Sequence, residues 1–232
     1  MENRILKYCD LGFIDYKEAW DLQTEILAKK ISGISDDVLL LLEHPNTYTF
    51  GKTADKLNLK SSDNFLKENQ ISVYDIDRGG DVTYHGPGQI VGYPVIDLNN
   101  WHRDTHKYLR ALEEVIIKTC AEYNLLCERN PKYTGVWIQD RKIAAIGIKV
   151  SRWITMHGFA FNVNTNLDLF SGIIPCGIQG KAVTSLSKEL EKTIDILEVK
   201  ESLLKNFMIV FDYSDLNVVH KENFIQTTLI NI

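Results

Sequence analysis

The chain has 232 residues, 44 % hydrophobic and 25 % charged, an ordinary balance for a globular protein with a substantial core. Its 26 Lys and Arg against 31 Asp and Glu leave a net charge of −5, which argues against a general nucleic-acid binder. No apolar run approaches the roughly 18 residues of a membrane span, and Met1-Glu2-Asn3-Arg4-Ile5 does not open like a secretory signal. A cytoplasmic protein without membrane or nucleic-acid partners is expected.

No repeat, low-complexity tract or linker divides the sequence, so residues 1–232 are read as a single domain. A first helix is predicted from about Asp15, where Asp15 and Glu18 have capping-box spacing and Tyr16, Ala19, Trp20, Gln23 and Leu27 follow at a helical period. Val38 to Leu42 reads as a buried strand, closed by Glu43-His44-Pro45. Ile71 to Ile76 and Ile90 to Leu98 read as strands on either side of a glycine-rich stretch. The strongest helix runs from Thr105 to about Leu125, with Tyr108, Leu112, Val115, Ile116 and Cys120 on one stripe. Strands follow at Gly135 to Gln139, Lys142 to Lys149 and Ile154 to Asn164, and a last helix runs from Asp195 to about Phe207. Strands in groups with irregular helices predict an α+β fold with a mixed or antiparallel sheet.

Four segments could carry chemistry. Arg78-Gly79-Gly80-Asp81-Val82-Thr83-Tyr84-His85-Gly86-Pro87-Gly88-Gln89 places a cation, a hydroxyl and an imidazole among glycines that let backbone approach a ligand. It lacks the Gly-Lys-Ser/Thr ending of a phosphate loop and the spacing of a dinucleotide fingerprint; a plain glycine-rich hairpin is the alternative. Lys142-Ile143-Ala144-Ala145-Ile146-Gly147-Ile148-Lys149 is apolar on both faces, which predicts a central strand covered on both sides. Its Lys142 either snorkels to solvent or is a partly desolvated amine fit for proton transfer. His157-Gly158-Phe159-Ala160 sets a histidine, structural or functional, beside small residues. Cys176 follows Pro175 and precedes Gly177, where a loop could present a thiol, whereas Cys120 falls on a helical core stripe and Cys9 and Cys127 have no catalytic context. No Cys-x-x-Cys pair is present, and His44, His85 and His157 lack short-range ligand spacing, so no metal is expected.

Together these segments resemble the octanoyltransferases of lipoate biosynthesis. The likeness runs in chain order from about Leu39 to Ser187, through Leu42-Glu43-His44-Pro45, Tyr48-Thr49-Phe50-Gly51, Arg78 to Gln89, Lys142 to Gly147, His157 to Ala160 with Asn162-Val163-Asn164, and Ile174-Pro175-Cys176-Gly177. One departure is Asp81, where the pattern has Gln after Arg-Gly-Gly. The resemblance implies a mixed sheet flanked by helices, similar to biotin- and lipoate-protein ligase catalytic domains, and a reaction without a cofactor. An octanoyl group would pass from acyl carrier protein, through a cysteine thioester, to a lysine of lipoyl domains of 2-oxoacid dehydrogenases or the glycine cleavage H protein.

The same resemblance implies roles for particular residues. Cys176 would be the nucleophile and Lys142 its proton partner. Arg78, Gly79, Gly80, Asp81, Val82, Thr83, Tyr84 and His85 would wall the acyl site. Ala145, Ile146 and Gly147, with Gly158, Phe159 and Ala160, would line the acyl tunnel. Exposed cations, foremost Arg152 and Lys181, would steer an acidic carrier domain. The rival readings are an ATP-dependent lipoate- or biotin-type ligase, an amidotransferase between lipoyl domains, and a non-catalytic acyl-binding protein.

Overall fold

The structure, a computed structural model, describes residues 4–33, 36–174 and 182–229. In chain order the strands are β1 (Ile5–Phe13), β2 (Asp37–Glu43), β3 (Thr47–Phe50), β4 (Ser72–Asp75), β5 (Val82–His85), β6 (Gln89–Val95), β7 (Glu128–Arg129), β8 (Val136–Ile138), β9 (Arg141–Ser151), β10 (Ile154–Asn162), β11 (Ala182–Val183) and β12 (Asp215–Val218). The α-helices are α1 (Tyr16–Ile31), α2 (Asp63–Glu68), α3 (Thr105–Glu122), α4 (Leu186–Leu190), α5 (Ile196–Val210) and α6 (Lys221–Leu229). The large sheet has the order β12-β1-β2-β6-β10-β9-β8-β7, with β11 also pairing β9; a second sheet is ordered β4-β3-β5. β1 runs parallel to β2 and β12, while β2, β6, β10 and β9 pair antiparallel in turn. The fold is therefore α+β with a mixed sheet flanked by helices.

Local sequence explains the helices. The Asp15 carboxylate accepts from the Lys17 N–H at the start of α1, and Asp104 and Asp195 cap α3 and α5 the same way. α3 and α5 cover one face of the large sheet over a core that includes Leu39, Leu41, Ile116 and Phe161. α1 and α6 cover the other face, packing on Leu40, Leu42, Val91 and Ala160. The small sheet has its own core of Tyr48, Phe50, Val82 and Tyr84.

Three expectations change. β1 was not anticipated, because Leu6 packs toward α3 while Cys9 and Leu11 pack toward α1, so burial on both faces erases the alternation that marks a strand. The end of the second predicted helix, α3, moves from Leu125 to Glu122, since Asn124 turns to a φ of +59°. β9 is covered on both faces only from Lys142 to Ala144. From Ala145 onward it is half-buried, because a cavity and a groove open over it. Among the described residues no helix is long and apolar enough to cross a membrane.

Candidate active site

A cavity of about 520 Å³, open solvent at its mouth included, lies between the large sheet and the small one. Its floor is a patch of small residues on two paired strands, with Ala145 opposite Ala160 and Gly147 opposite Gly158. Those glycines are required by close approach. A Cβ on Gly158 would stand 2.2 Å from the Gly92 carbonyl oxygen, and one on Gly147 would stand 2.9 Å from Cδ of Arg78. Arg78, Gly80, Asp81, Val82, Thr83 and His85 form the wall, and Lys142, Ile146 and Phe159 also line the space. Three of the four segments singled out in the sequence, those around Arg78, Lys142 and His157, thus contribute to one cavity.

Two of the anticipated wall residues are placed elsewhere. Tyr84 alternates away along β5 into the small-sheet core, where its hydroxyl donates to Asn46 Oδ1 at 2.8 Å. Gly79 borders a neighbouring groove instead, and its N–H donates to the Ile148 carbonyl at 2.9 Å, tying the glycine-rich loop to β9. Asp81 accepts from Asn58 Nδ2 at 2.6 Å and from the Val82 N–H at 2.7 Å, so its carboxylate shapes the loop. The Asn58 carbonyl in turn accepts from the Ile174 N–H at 2.8 Å.

Lys142 is buried where cavities meet. Besides the main cavity it borders the groove formed by Thr53, Gly79, Leu109, Lys132 and Tyr133, and a small cavity beside Asn162, Phe170 and Val183. Its ammonium nitrogen lies 4.8 Å from the centre of the Trp137 ring, and its carbonyl accepts from Thr184 N–H at 2.9 Å. Cys176, Gly177 and Lys181 lie outside the described residues; the described neighbours of that segment are Ile174, beside Asn58, and Ala182, paired with Arg141. Arg152 sits in the β9–β10 turn, ten residues and so about 33 Å along the strand from Lys142. At that separation it makes no direct contact with Lys142. Arg141 is engaged by Glu189 at 2.9 and 3.0 Å.

The inner part of the cavity is polar, and much of it was not anticipated. Tyr16, Val91 and Tyr93 read as core aromatics and aliphatics in the sequence, yet they line it. His44 Nδ1–H donates to the Ile14 carbonyl at 2.9 Å, which leaves Nε2 to accept from the Tyr93 hydroxyl at 2.8 Å. His85 Nδ1–H donates to Gln89 Oε1 at 2.9 Å, and Gln89 is itself held by the Tyr84 carbonyl and Asn162. Arg78 donates to the Thr49 carbonyl at 2.8 Å and to its hydroxyl at 3.0 Å. Burial is the main reason that His44 is held down to about 4 and His85 well below the usual imidazole value. Burial also lowers His157, against the pull of Asp77.

These neutral imidazoles make stability depend on pH. The unfolded chain takes up protons on its histidines near pH 6.5, while the folded chain refuses them, so stability present above 6.5 is lost as pH falls through that window toward 4. The free energy of unfolding is expected to fall between pH 7 and 5, by up to about 1.4 kcal/mol per pH unit for each buried histidine, and the melting temperature falls with it. His44→Gln should flatten the slope. Calorimetry showing no pH dependence in that window contradicts the assignment.

The comparisons with known proteins agree with the geometry. The lipoyl protein ligase A/B catalytic domain matches residues 15–208. An octanoyltransferase of Christiangramia forsetii is 50 % identical over 226 residues, covering 90 % of this chain and 97 % of the relative. This chain belongs to that catalytic-domain family, among its octanoyltransferases. It is accordingly an acyltransferase, with an octanoyl-transfer role in protein lipoylation. At 16 % identity the fold is shared with lipoate-protein ligase A crystallised with ATP, with a TM-score of 0.73 over 100 % of this chain and 95 % of that one. Biotin protein ligase of Aquifex aeolicus shares it more distantly, at 13 % identity and a TM-score of 0.50 over 90 % of this chain and 69 % of that one.

Proposed function

We propose that this octanoyltransferase takes its acyl group from octanoyl-acyl carrier protein, holds it as a thioester on Cys176 and delivers it to a lysine of a lipoyl domain. The observation that carries the reading is the small-residue cavity meeting Lys142 at a junction open to further space. An acyl chain needs the first, and exchange between two large partners needs the second.

In the first half-reaction Lys142 takes the proton of the Cys176 thiol. The thiolate attacks the thioester carbonyl, the carbon–sulfur bond to pantetheine breaks, and the departing sulfur recovers the proton from Lys142. Backbone N–H groups beside Cys176, that of Gly177 among them, stabilise the oxyanion. In the second half-reaction the acceptor amine attacks the Cys176 thioester. Lys142 receives the proton the nitrogen must lose and returns it to the Cys176 sulfur as the amide forms. Thioester exchange is nearly isoenergetic, so the held acyl group stays reactive toward an amine. No nucleotide is consumed.

The test is mass analysis of a lipoyl domain incubated with this protein and octanoyl-carrier protein without ATP. An octanoylated lysine is expected. A strict requirement for ATP with free octanoate as donor would place the chain with the ligases instead.

A further inference from the structure

Lys142 reaches the cavity because β9 is irregular beside it. Strict alternation would put Lys142 on the face of Ala144, Ile146 and Ile148, opposite Ala145 and Gly147. The pairing with β8 breaks that alternation. Val136 stands opposite Ala144, but Trp137 stands opposite Lys142, so Ile143 is an extra residue in β9. This is a β-bulge, a device that re-aims side chains and recurs next to active sites. Ile143 and Ala144 accordingly bury in the same core, and Lys142 borders the main cavity with Ala145 and Gly147.

The neighbouring strand is shaped to receive the lysine. Gly135, just before β8, has a φ of +130°. A Cβ there would stand 2.6 Å from the Ala144 carbonyl oxygen and 3.3 Å from Cε of Lys142, so a side chain would crowd the lysine stem. The Gly135 N–H donates to Glu113 Oε1 at 3.0 Å. Glu113 is fully buried, and its other oxygen accepts from Arg110 at 2.7 Å and lies 3.3 Å from Nε of Arg129. A carboxylate on α3, paired with two guanidiniums, thus anchors the corner that leads into β8.

That corner presents the Trp137 ring. Its centre, 4.8 Å from the Lys142 ammonium nitrogen, is inside the roughly 6 Å over which a ring face attracts a cation. Trp137 is 1 % exposed and Lys142 7 %, so the contact is desolvated, where it is strongest. Buried indoles usually find a partner for their N–H. Nε1 of Trp137 has no hydrogen-bond partner among the described residues, so within them the ring offers its face rather than its N–H. A ring face attracts an ammonium far more than a neutral amine, because the attraction is between a charge and the ring quadrupole.

We propose that Trp137 is a positioning residue for the transfer: its ring holds Lys142 as the ammonium and so favours the ammonium–thiolate pair from which Cys176 attacks. The inference rests on the reading above, in which Lys142 takes the thiol proton. That proton moves from Cys176 Sγ to Lys142 Nζ, leaving a thiolate and an ammonium, and the ring stabilises the ammonium. The same ammonium forms when the acceptor nitrogen gives up its proton. Trp137 acts only through Lys142.

The experiment replaces Trp137 with mono-, di- and trifluorinated tryptophans, which barely alter the shape of the ring but drain the negative potential of its face. It reads the single-turnover rate of octanoyl transfer to a lipoyl domain. The rate should fall stepwise with each fluorine. Trp137→Leu, which removes the ring, should lose about thirtyfold, the worth of a desolvated cation–π contact, and Trp137→Phe less. In a Lys142→Ala background the fluorinated series should be flat, because the contact it weakens is already gone. A merely structural indole gives no fluorine trend, since its packing is unchanged. A flat series with Lys142 present, or equal slopes in both backgrounds, overturns this inference alone when Lys142→Ala is itself slow. Lys142→Ala with the wild-type rate overturns the reading of Lys142 and this inference with it.

Discussion

Cys176→Ala is expected to lower octanoyl transfer more than about a thousandfold, the scale of loss when a nucleophile is removed from an enzyme. No other thiol can replace it. Cys9 and Cys120 are fully buried in the two cores and Cys127 is nearly so, and burial pushes the Cys9 thiol up to about 12, far from the reactive thiolate form. Cys120→Ala should therefore keep the rate and lose stability, by roughly 1 kcal/mol or somewhat more, because it opens a small hole beside Ile116 and Phe207. Turnover and thermal melting of the two variants check the contrast. Cys176→Ala with full activity would falsify the covalent route.

Lys142→Ala is expected to slow both half-reactions by about 10² to 10⁴, the usual contribution of a positioned acid–base group. Both slow because each requires a proton to be moved at the same sulfur. Lys142→Arg should recover little: the guanidinium keeps the charge but does not surrender a proton, and it must fit against the Trp137 ring in a buried site. Single-turnover measurement of acylation and of deacylation by an acceptor separates the two steps. If arginine restores full rates, Lys142 acts only through its charge and the base lies elsewhere, with His85 on the cavity wall the next residue to examine.

What the sequence made legible follows from how local each signal is. Helices α1 and α5 announce themselves through Asp15 and Asp195 at their starts, and α3 through its one-sided apolar stripe. β1 does not, because it is buried on both faces, and the short edge strands β11 and β12 offer too few residues for any period to show. At the site, the glycines and small residues around Arg78, Gly147 and Gly158 are visible because close backbone approach leaves a compositional mark. Tyr16 and Tyr93 leave none, since an aromatic lining a cavity looks the same in sequence as one packed in a core. Asp77 reads as a loop carboxylate; its two partners, Lys149 and His157, lie 72 and 80 residues away. The aim of His157 depends on a backbone angle set by the surrounding fold. The charge-steering expectation rested on proximity in sequence. Arg152 is near Lys149 in sequence, but the strand between it and Lys142 is fully extended and carries it to the far end of the sheet.

The central claim is that the octanoyl group rests on Cys176 between donor and acceptor. Intact-protein mass spectrometry tests it most directly, after mixing the protein with octanoyl-carrier protein in the absence of ATP and of any acceptor, followed by peptide mapping. The account predicts a single adduct of octanoyl mass on the peptide containing Cys176, removed by hydroxylamine and discharged when a lipoyl domain is added. Transfer to the lipoyl domain with no enzyme adduct at any time point, or an adduct on another residue that discharges at the same rate, would contradict it.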